Sequence, residues 1–161
     1  ELRLAGLRLN PANNGPSRAT YLTGLKLKKL PAGAETPVSG LPADAQLSYV
    51  QWSPDDTKIA FAHTTDSRID LYVADVATAA ARKVGDLALN AVYGLPFRWV
   101  SDSKSLIVKA VPAGRGQAPE VSRVPVGPTA QDNTGGRKGQ APTYQDLLKN
   151  PSDERLFEHY A

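Results

Sequence analysis

Two decapeptides decide the expected fold of this chain: WSPDDTKIAF at residues 52–61 and WVSDSKSLIV at residues 99–108. Each begins with a tryptophan, passes through a polar turn that contains an aspartate, and ends in a short apolar strand. The two tryptophans are 47 residues apart. A second, ungapped match aligns residues 27–41 with residues 73–87 at an offset of 46 residues. Two separate matches that agree on one period indicate an internal repeat.

The sequence around the first decapeptide predicts an antiparallel meander of four short strands. A strand ends at Trp52, residues 53–56 form a turn, and the next strand places Ile59 and Phe61 on one side and Ala60 and Ala62 on the other. Two more strands follow after a polar tip. Four strands and a period of 46 to 47 residues match one blade of a β-propeller. We therefore expect an all-β chain: a partial β-propeller of four-stranded antiparallel blades with a short helical C-terminal tail.

The repeat period also predicts how the chain is divided. Residues 1–47 would be a partial first blade, 48–88 a complete blade and 89–112 the start of the next blade. Residues 113–142, rich in glycine and proline, would be an insertion loop, and residues 143–161 a helical tail.

Two local features refine this division. The alternation of leucines changes phase at Gly6, which predicts a bulge or bend there. In the tail, Thr143 and Ser152 are expected to cap two short helices, and the second helix carries one apolar stripe of Leu156, Phe157 and Tyr160.

Composition excludes several kinds of chemistry. The 161 residues include no cysteine, so disulfides, thiolate catalysis and zinc–thiolate sites are excluded. The net charge of +3 is scattered, which favours solvated strand edges over a nucleic-acid surface, and no apolar run is long enough to span a membrane. We expect a structural role for His63, an exposed position for His159, and no metal, cofactor or catalytic residue.

Few side chains invite a functional hypothesis. Arg98 precedes a repeat tryptophan and Arg115 lies in a glycine-rich segment, so both are weak candidates for substrate binding, although a solvated surface role explains each more simply. The tryptophans are better explained by packing between blades than by ligand stacking. We interpret four residues as structural markers of the repeat: Trp52, Asp55, Trp99 and Asp102.

The repeat also resembles a known pattern. WSPDDTKIAF followed by LYVADVAT (residues 71–78) is similar to the repeat of TolB-type propellers and of the propellers of prolyl oligopeptidase family serine peptidases. Asp56 stands where the pattern has glycine, Val100 and Ser101 replace Ser-Pro, and no glycine follows Thr78. The segments at residues 2–18, 24–30 and 143–161 resemble the N-terminal propeller of the glutamyl endopeptidase-like branch, so the resemblance covers nearly the whole chain.

The resemblance implies a non-catalytic propeller fragment of a periplasmic or secreted bacterial serine peptidase. It would control the access of peptide substrates to a hydrolase domain outside this chain, where the catalytic serine, aspartate and histidine would lie. Expected partners are the missing blades, that hydrolase domain, and other copies through open sheet edges. The alternatives are a non-enzymatic TolB-type propeller that binds protein or envelope partners, and a free-standing scaffold that assembles through its sheet edges.

Overall fold

The computed structural model describes residues 1–120, 148 and 150–161. These residues are mostly β: eleven short strands form four antiparallel sheets, and one helix ends the chain. The strands are β1 (Leu2–Leu4), β2 (Leu7–Asn10), β3 (Gly15–Pro16), β4 (Lys26–Lys28), β5 (Glu35–Pro37), β6 (Leu47–Trp52), β7 (Lys58–Thr64), β8 (Ile69–Asp75), β9 (Ala80–Lys83), β10 (Phe97–Trp99) and β11 (Leu106–Val108), and the helix is α1 (Pro151–Tyr160).

The N-terminal sheet contains β1, β2 and β3 in that order. Leu4 pairs with Leu7, and the two residues between them, Ala5 and Gly6, have φ angles of 48° and 76°. Positive φ at both central residues is the geometry of a tight two-residue hairpin turn. The prediction of a bulge or bend at Gly6 is therefore wrong, because the chain reverses completely and each half of the leucine pattern is a separate strand.

The central sheet has the order β6-β7-β8-β9, which confirms the predicted four-strand meander. Ile59 and Phe61 of β7 belong to one apolar cluster, whereas Ala60 and Ala62 belong to another. This alternation is the one expected of a strand that is buried on both faces. The sheet is therefore covered on both sides.

Each face of the central sheet packs against a neighbouring hairpin. The cluster of Ile59 and Phe61 includes Leu27 of the β4–β5 hairpin, and the cluster of Ala60 and Ala62 includes Phe97 of the β10–β11 hairpin. These three sheets are thus stacked in chain order. Among the described residues they form no closed ring, so the partial propeller remains a prediction.

The pairing register has the same period as the internal repeat. Trp52 pairs with Ile59, and Trp99 pairs with Leu106, so both members of the pair are shifted by 47 residues. The turns inside these hairpins agree, since the amide of Asp56 and the amide of Ser103 each donate to the carbonyl three residues earlier.

The second sequence match has the same structural basis. Leu27 pairs with Thr36 in β4–β5, and Val73 pairs with Arg82 in β8–β9, a shift of 46 residues for both. The repeat therefore consists of equivalent hairpins with equivalent registers. It does not rest on sequence similarity alone.

Helix α1 begins earlier than expected, because its N-cap lies two residues before the predicted cap at Ser152. Its N-cap is Asn150, whose side-chain oxygen accepts hydrogen bonds from the amides of Ser152 and Asp153 at 2.9 Å each. The expected cap at Ser152 is wrong because Pro151 already occupies the first helical turn, where its missing N–H costs nothing. No helix of the described residues has both the length and the apolar character needed to cross a membrane.

The apolar stripe of α1 packs on the N-terminal sheet. Leu156 and Tyr160 are buried in a cluster with Leu4 and Leu9, and Phe157 is partly buried beside them, which confirms the predicted stripe. Residues 113–120 contain no helix or strand. The remainder of the predicted insertion loop and the helix expected after Thr143 lie outside the described residues.

Candidate functional site

The first repeat turn uses its aspartate internally. The carboxylate of Asp55 accepts hydrogen bonds from the Ser53 hydroxyl at 2.7 Å and from the amide and hydroxyl of Thr57 at 3.1 and 2.8 Å. These bonds favour the charged carboxylate and, led by the Ser53 hydroxyl, lower the pKa of Asp55 to about 2. A carboxylate so occupied stabilises the turn and is a poor candidate for proton transfer.

The second repeat turn is built in the same way. Asp102 accepts hydrogen bonds from the hydroxyl of Ser105 at 2.7 Å and from the amides of Lys104 and Ser105 at 2.9 Å each, and these bonds lower its pKa, with the hydroxyl contributing most. The two turns touch, because the amide of Asp55 donates to the Ser103 hydroxyl at 3.1 Å. Equivalent turns of successive repeats are therefore neighbours.

The two repeat tryptophans occupy equivalent clefts with different degrees of closure. Trp99 packs beside Val73 and its indole N–H donates to the carbonyl of Gln51 at 3.2 Å. Trp52 lies beside Leu27, the equivalent of Val73, but its side chain is 51% exposed. Each tryptophan thus faces the preceding repeat, and the contact is tight only at Trp99.

The looser cleft beside Trp52 is a groove of about 760 Å³ between the β4–β5 hairpin and the turn that follows β8. Three lysines line it, Lys26, Lys28 and Lys29, and Lys26 pairs with Glu35 at 3.2 Å. The lysine side chains are exposed, and Thr78 adds a hydroxyl. The groove combines an indole face with positive charge, but no polar side chain is buried in it to fix a ligand.

Arg115 holds the C-terminal end of α1. Its guanidinium donates to the side-chain oxygen of Asn14 at 2.9 Å and to the carbonyl of His159 at 3.3 Å, and lies 5.4 Å from the ring centroid of Tyr160. The side-chain amides of Asn14 and Asn90 donate to the carbonyl of Tyr160 at 3.1 and 2.9 Å. We call these five residues the helix clasp.

The helix clasp changes the interpretation of two residues. Arg115 is half-buried, so the simpler expectation of a solvated surface arginine is wrong; its hydrogen bonds are used within the fold. His159 is also half-buried instead of exposed, and burial, followed by the nearby charge of Arg115, lowers its pKa. Cations bound to helix C-terminal carbonyls are a common way to satisfy them.

Arg98 lies apart from this cluster, on β10. It pairs with Ile107, its side chain is exposed, and within the described part of the chain its guanidinium makes no hydrogen bond or ion pair. The structure therefore leaves its predicted role in substrate binding untested.

The remaining titratable groups also have structural surroundings. His63 is buried, with its ring edge-on to Tyr72 and its Nε2 atom 3.9 Å from the Asp44 carboxylate. The described ranges contain no group of three His, Cys, Asp or Glu side chains that could hold a metal ion.

One charge departs from the solvated strand edges that the scattered charges predict. Asp70 is buried and lies 2.7 Å from the Arg68 guanidinium and 3.0 Å from the Lys83 ammonium. The available signal was its place among apolar residues in a doubly covered strand, where a charge requires partners.

Comparison with known proteins gives relatives of one kind. The chain is 36% identical, over its whole length, to a protein of Oryza sativa subsp. japonica and to one of Arabidopsis thaliana, each described as a probable glutamyl endopeptidase, chloroplastic. The chain is homologous to a segment of each. That segment is 18% of the relative's length, so most of each relative has no counterpart here. No protein-family profile matches the sequence, and no solved structure matches it.

These relatives correct one expectation. The resemblance led us to expect a periplasmic or secreted bacterial protein, whereas both relatives are chloroplastic proteins of plants. The expectation was wrong because it came from the family as a whole, and nothing in the residues of this chain specifies a compartment.

Proposed function

We propose that this chain is a non-catalytic part of a serine peptidase of the prolyl oligopeptidase type, and that it restricts the entry of peptides to a hydrolase domain elsewhere in that protein. The observation that carries the proposal is the 36% identity, over the whole chain, to two proteins described as glutamyl endopeptidases. The names of these relatives make peptides with a glutamyl bond the first substrates to test.

The geometry supports a propeller as the form of this part. Propellers repeat four-stranded sheets around an axis and pack successive sheets face to face. Here the central sheet has four strands, both of its faces are covered by neighbouring hairpins, and equivalent pairs recur after 46 or 47 residues. The turns with Asp55 and Asp102 lie side by side, as equivalent turns on one rim of a propeller would.

The site chemistry supports the non-catalytic part of the proposal. Asp55 and Asp102 are held by their own turns, His63 is buried in the central sheet, and Arg115 is used in the helix clasp. Acyl transfer needs a nucleophile, a base and an oxyanion site in mutual contact. No such set occurs among the described residues, and in this proposal the reaction takes place in another domain.

The proposal is tested with the full-length product of the gene that encodes this chain. Its hydrolysis of a short quenched peptide with one glutamyl bond is compared with that of a folded protein carrying the same peptide in a tight surface loop. We expect cleavage of the short peptide only, and no cleavage of either by the isolated chain. Equal rates on both substrates would refute the gate, and no cleavage by the full-length protein would refute the peptidase.

A further inference from the structure

We propose that the outer face of the β10–β11 hairpin, formed by Arg98, Ile107 and Lys109, is a docking surface for a further repeat of the same type as the ones described. This inference rests on the propeller arrangement proposed above and is independent of peptidase activity. The structural basis is a comparison of two equivalent hairpins, one covered and one open.

The β10–β11 hairpin has one covered face. This face carries Trp99, Leu106 and Val108, which pack against a cluster that includes buried residues of the central sheet. Side chains alternate along a strand, so Arg98 and Ile107, which pair with each other, point to the opposite face. Ile107 is 69% exposed on that face, a large apolar side chain directed into solvent.

The equivalent face of the preceding hairpin is covered. At an offset of 47 residues, Arg98 corresponds to Gln51, Ile107 to Ala60 and Lys109 to Ala62. Ala60 and Ala62 are completely buried because the β10–β11 hairpin packs on them. The β6–β7 hairpin therefore buries this face in an interface, whereas the β10–β11 hairpin exposes Ile107 at the equivalent position.

The covered interface defines the chemistry of the partner. Across it, the indole N–H of Trp99 donates to the carbonyl of Gln51, and the side-chain amide of Gln51 donates to the carbonyl of Phe97 at 3.2 Å. Arg98 has the same position as Gln51 and is also a hydrogen-bond donor. The partner is expected to bring a tryptophan to the Arg98 carbonyl and a backbone carbonyl to the Arg98 guanidinium.

The turns add a second contact of the same kind. The hydroxyl of Ser103 accepts from the amide of Asp55 in the preceding repeat. The amide of Asp102 has the equivalent position, so a hydroxyl in the partner's turn would fit it. A four-stranded repeat with a tryptophan at the end of its first strand and a serine four residues later meets all these requirements.

Cysteine labelling tests this surface directly, because the chain contains no cysteine. Ile107→Cys is prepared both in the isolated chain and in the full-length gene product, and the rate of maleimide labelling at residue 107 is measured by peptide mass spectrometry. Leu30→Cys is the matched control, since Leu30 is 79% exposed and lies far from this hairpin in the sequence. The isolated chain is labelled over a range of concentrations.

We expect residue 107 to react at least about tenfold more slowly in the full-length protein than in the isolated chain, because a buried side chain reacts only through local opening. The control should react equally in both. Equal rates at residue 107, including the case in which the gene encodes no further repeat, overturn the proposal. Protection that appears in the isolated chain as its concentration rises also overturns it, since the occupant would then be a second copy.

The result can be separated from the test of function. A reactive residue 107 in a full-length protein that hydrolyses peptides leaves the peptidase intact and removes the docking surface. A protected residue 107 in an inactive full-length protein supports the docking surface and refutes the peptidase.

Discussion

Replacing the two repeat tryptophans by phenylalanine tests whether the repeats are held together at equivalent points. Trp99→Phe removes the indole N–H that bonds to the Gln51 carbonyl. The lost hydrogen bond costs about 0.5–1.5 kcal/mol. The smaller ring buries roughly 20 Å² less apolar surface, which adds about 0.5 kcal/mol. We therefore expect Trp99→Phe to lower the free energy of unfolding by about 1–2 kcal/mol.

Trp52→Phe is the matched control at the equivalent position. Trp52 is 51% exposed, and its indole N–H makes no hydrogen bond within the described residues. Its replacement should change the free energy of unfolding by less than about 0.5 kcal/mol.

Urea unfolding followed by circular dichroism measures both variants without relying on tryptophan fluorescence. With a slope of about 2 kcal/mol per molar urea, Trp99→Phe should move the midpoint down by about 0.5–1 M, whereas Trp52→Phe should leave it nearly unchanged. Equal midpoint shifts for the two variants would refute the assignment of Trp99 as a contact between repeats.

Three further predictions concern single positions. Gly40→Ala should destabilise the fold by more than about 2 kcal/mol in the same urea assay, because Gly40 has a φ of +73° and an added Cβ would overlap the Ala81 carbonyl; an unchanged midpoint would contradict this. Asp55 has a folded pKa of about 2, below its ordinary 3.8, so its stabilising effect is present above about pH 4 and is lost as the pH falls towards 2. Asp55→Asn should therefore lower the melting temperature at pH 7 and make it depend less on pH in the acid range. A pH profile identical to that of the unchanged chain would count against the turn assignment. Arg115→Ala should reduce the free energy of unfolding by about 1–3 kcal/mol through loss of charged hydrogen bonds, whereas Arg98→Ala should change it by less than about 0.5 kcal/mol; similar effects would contradict the helix clasp.

The repeat could be predicted from the sequence because its signals are local. The turn after Trp52 and the turn after Trp99 each lie within a few residues of the strand that they introduce, so the period survives in the sequence. The meander of β6–β9 was predictable for the same reason: alternation along β7 gives the two faces, and short polar turns separate the strands.

The helix clasp could not be predicted because its contacts are distant in the sequence. Arg115 is 101 residues from Asn14 and 44 residues from His159. No local pattern distinguishes an arginine that binds a helix end from one in solvent. The prediction at Gly6 was wrong for a different reason. One phase change in a leucine pattern is compatible with a bulge or with a complete reversal of the chain, and only strand pairing distinguishes the two.

If this chain is a non-catalytic part of a peptidase, as proposed, the reactive serine lies outside residues 1–161. The most direct measurement is labelling of the full-length gene product and of the isolated chain with a fluorophosphonate probe for active serines, followed by mapping of the labelled residue. We predict a label on the full-length protein at a serine outside residues 1–161, and none on the isolated chain. A labelled serine within residues 1–161, or an unlabelled full-length protein, would contradict the account.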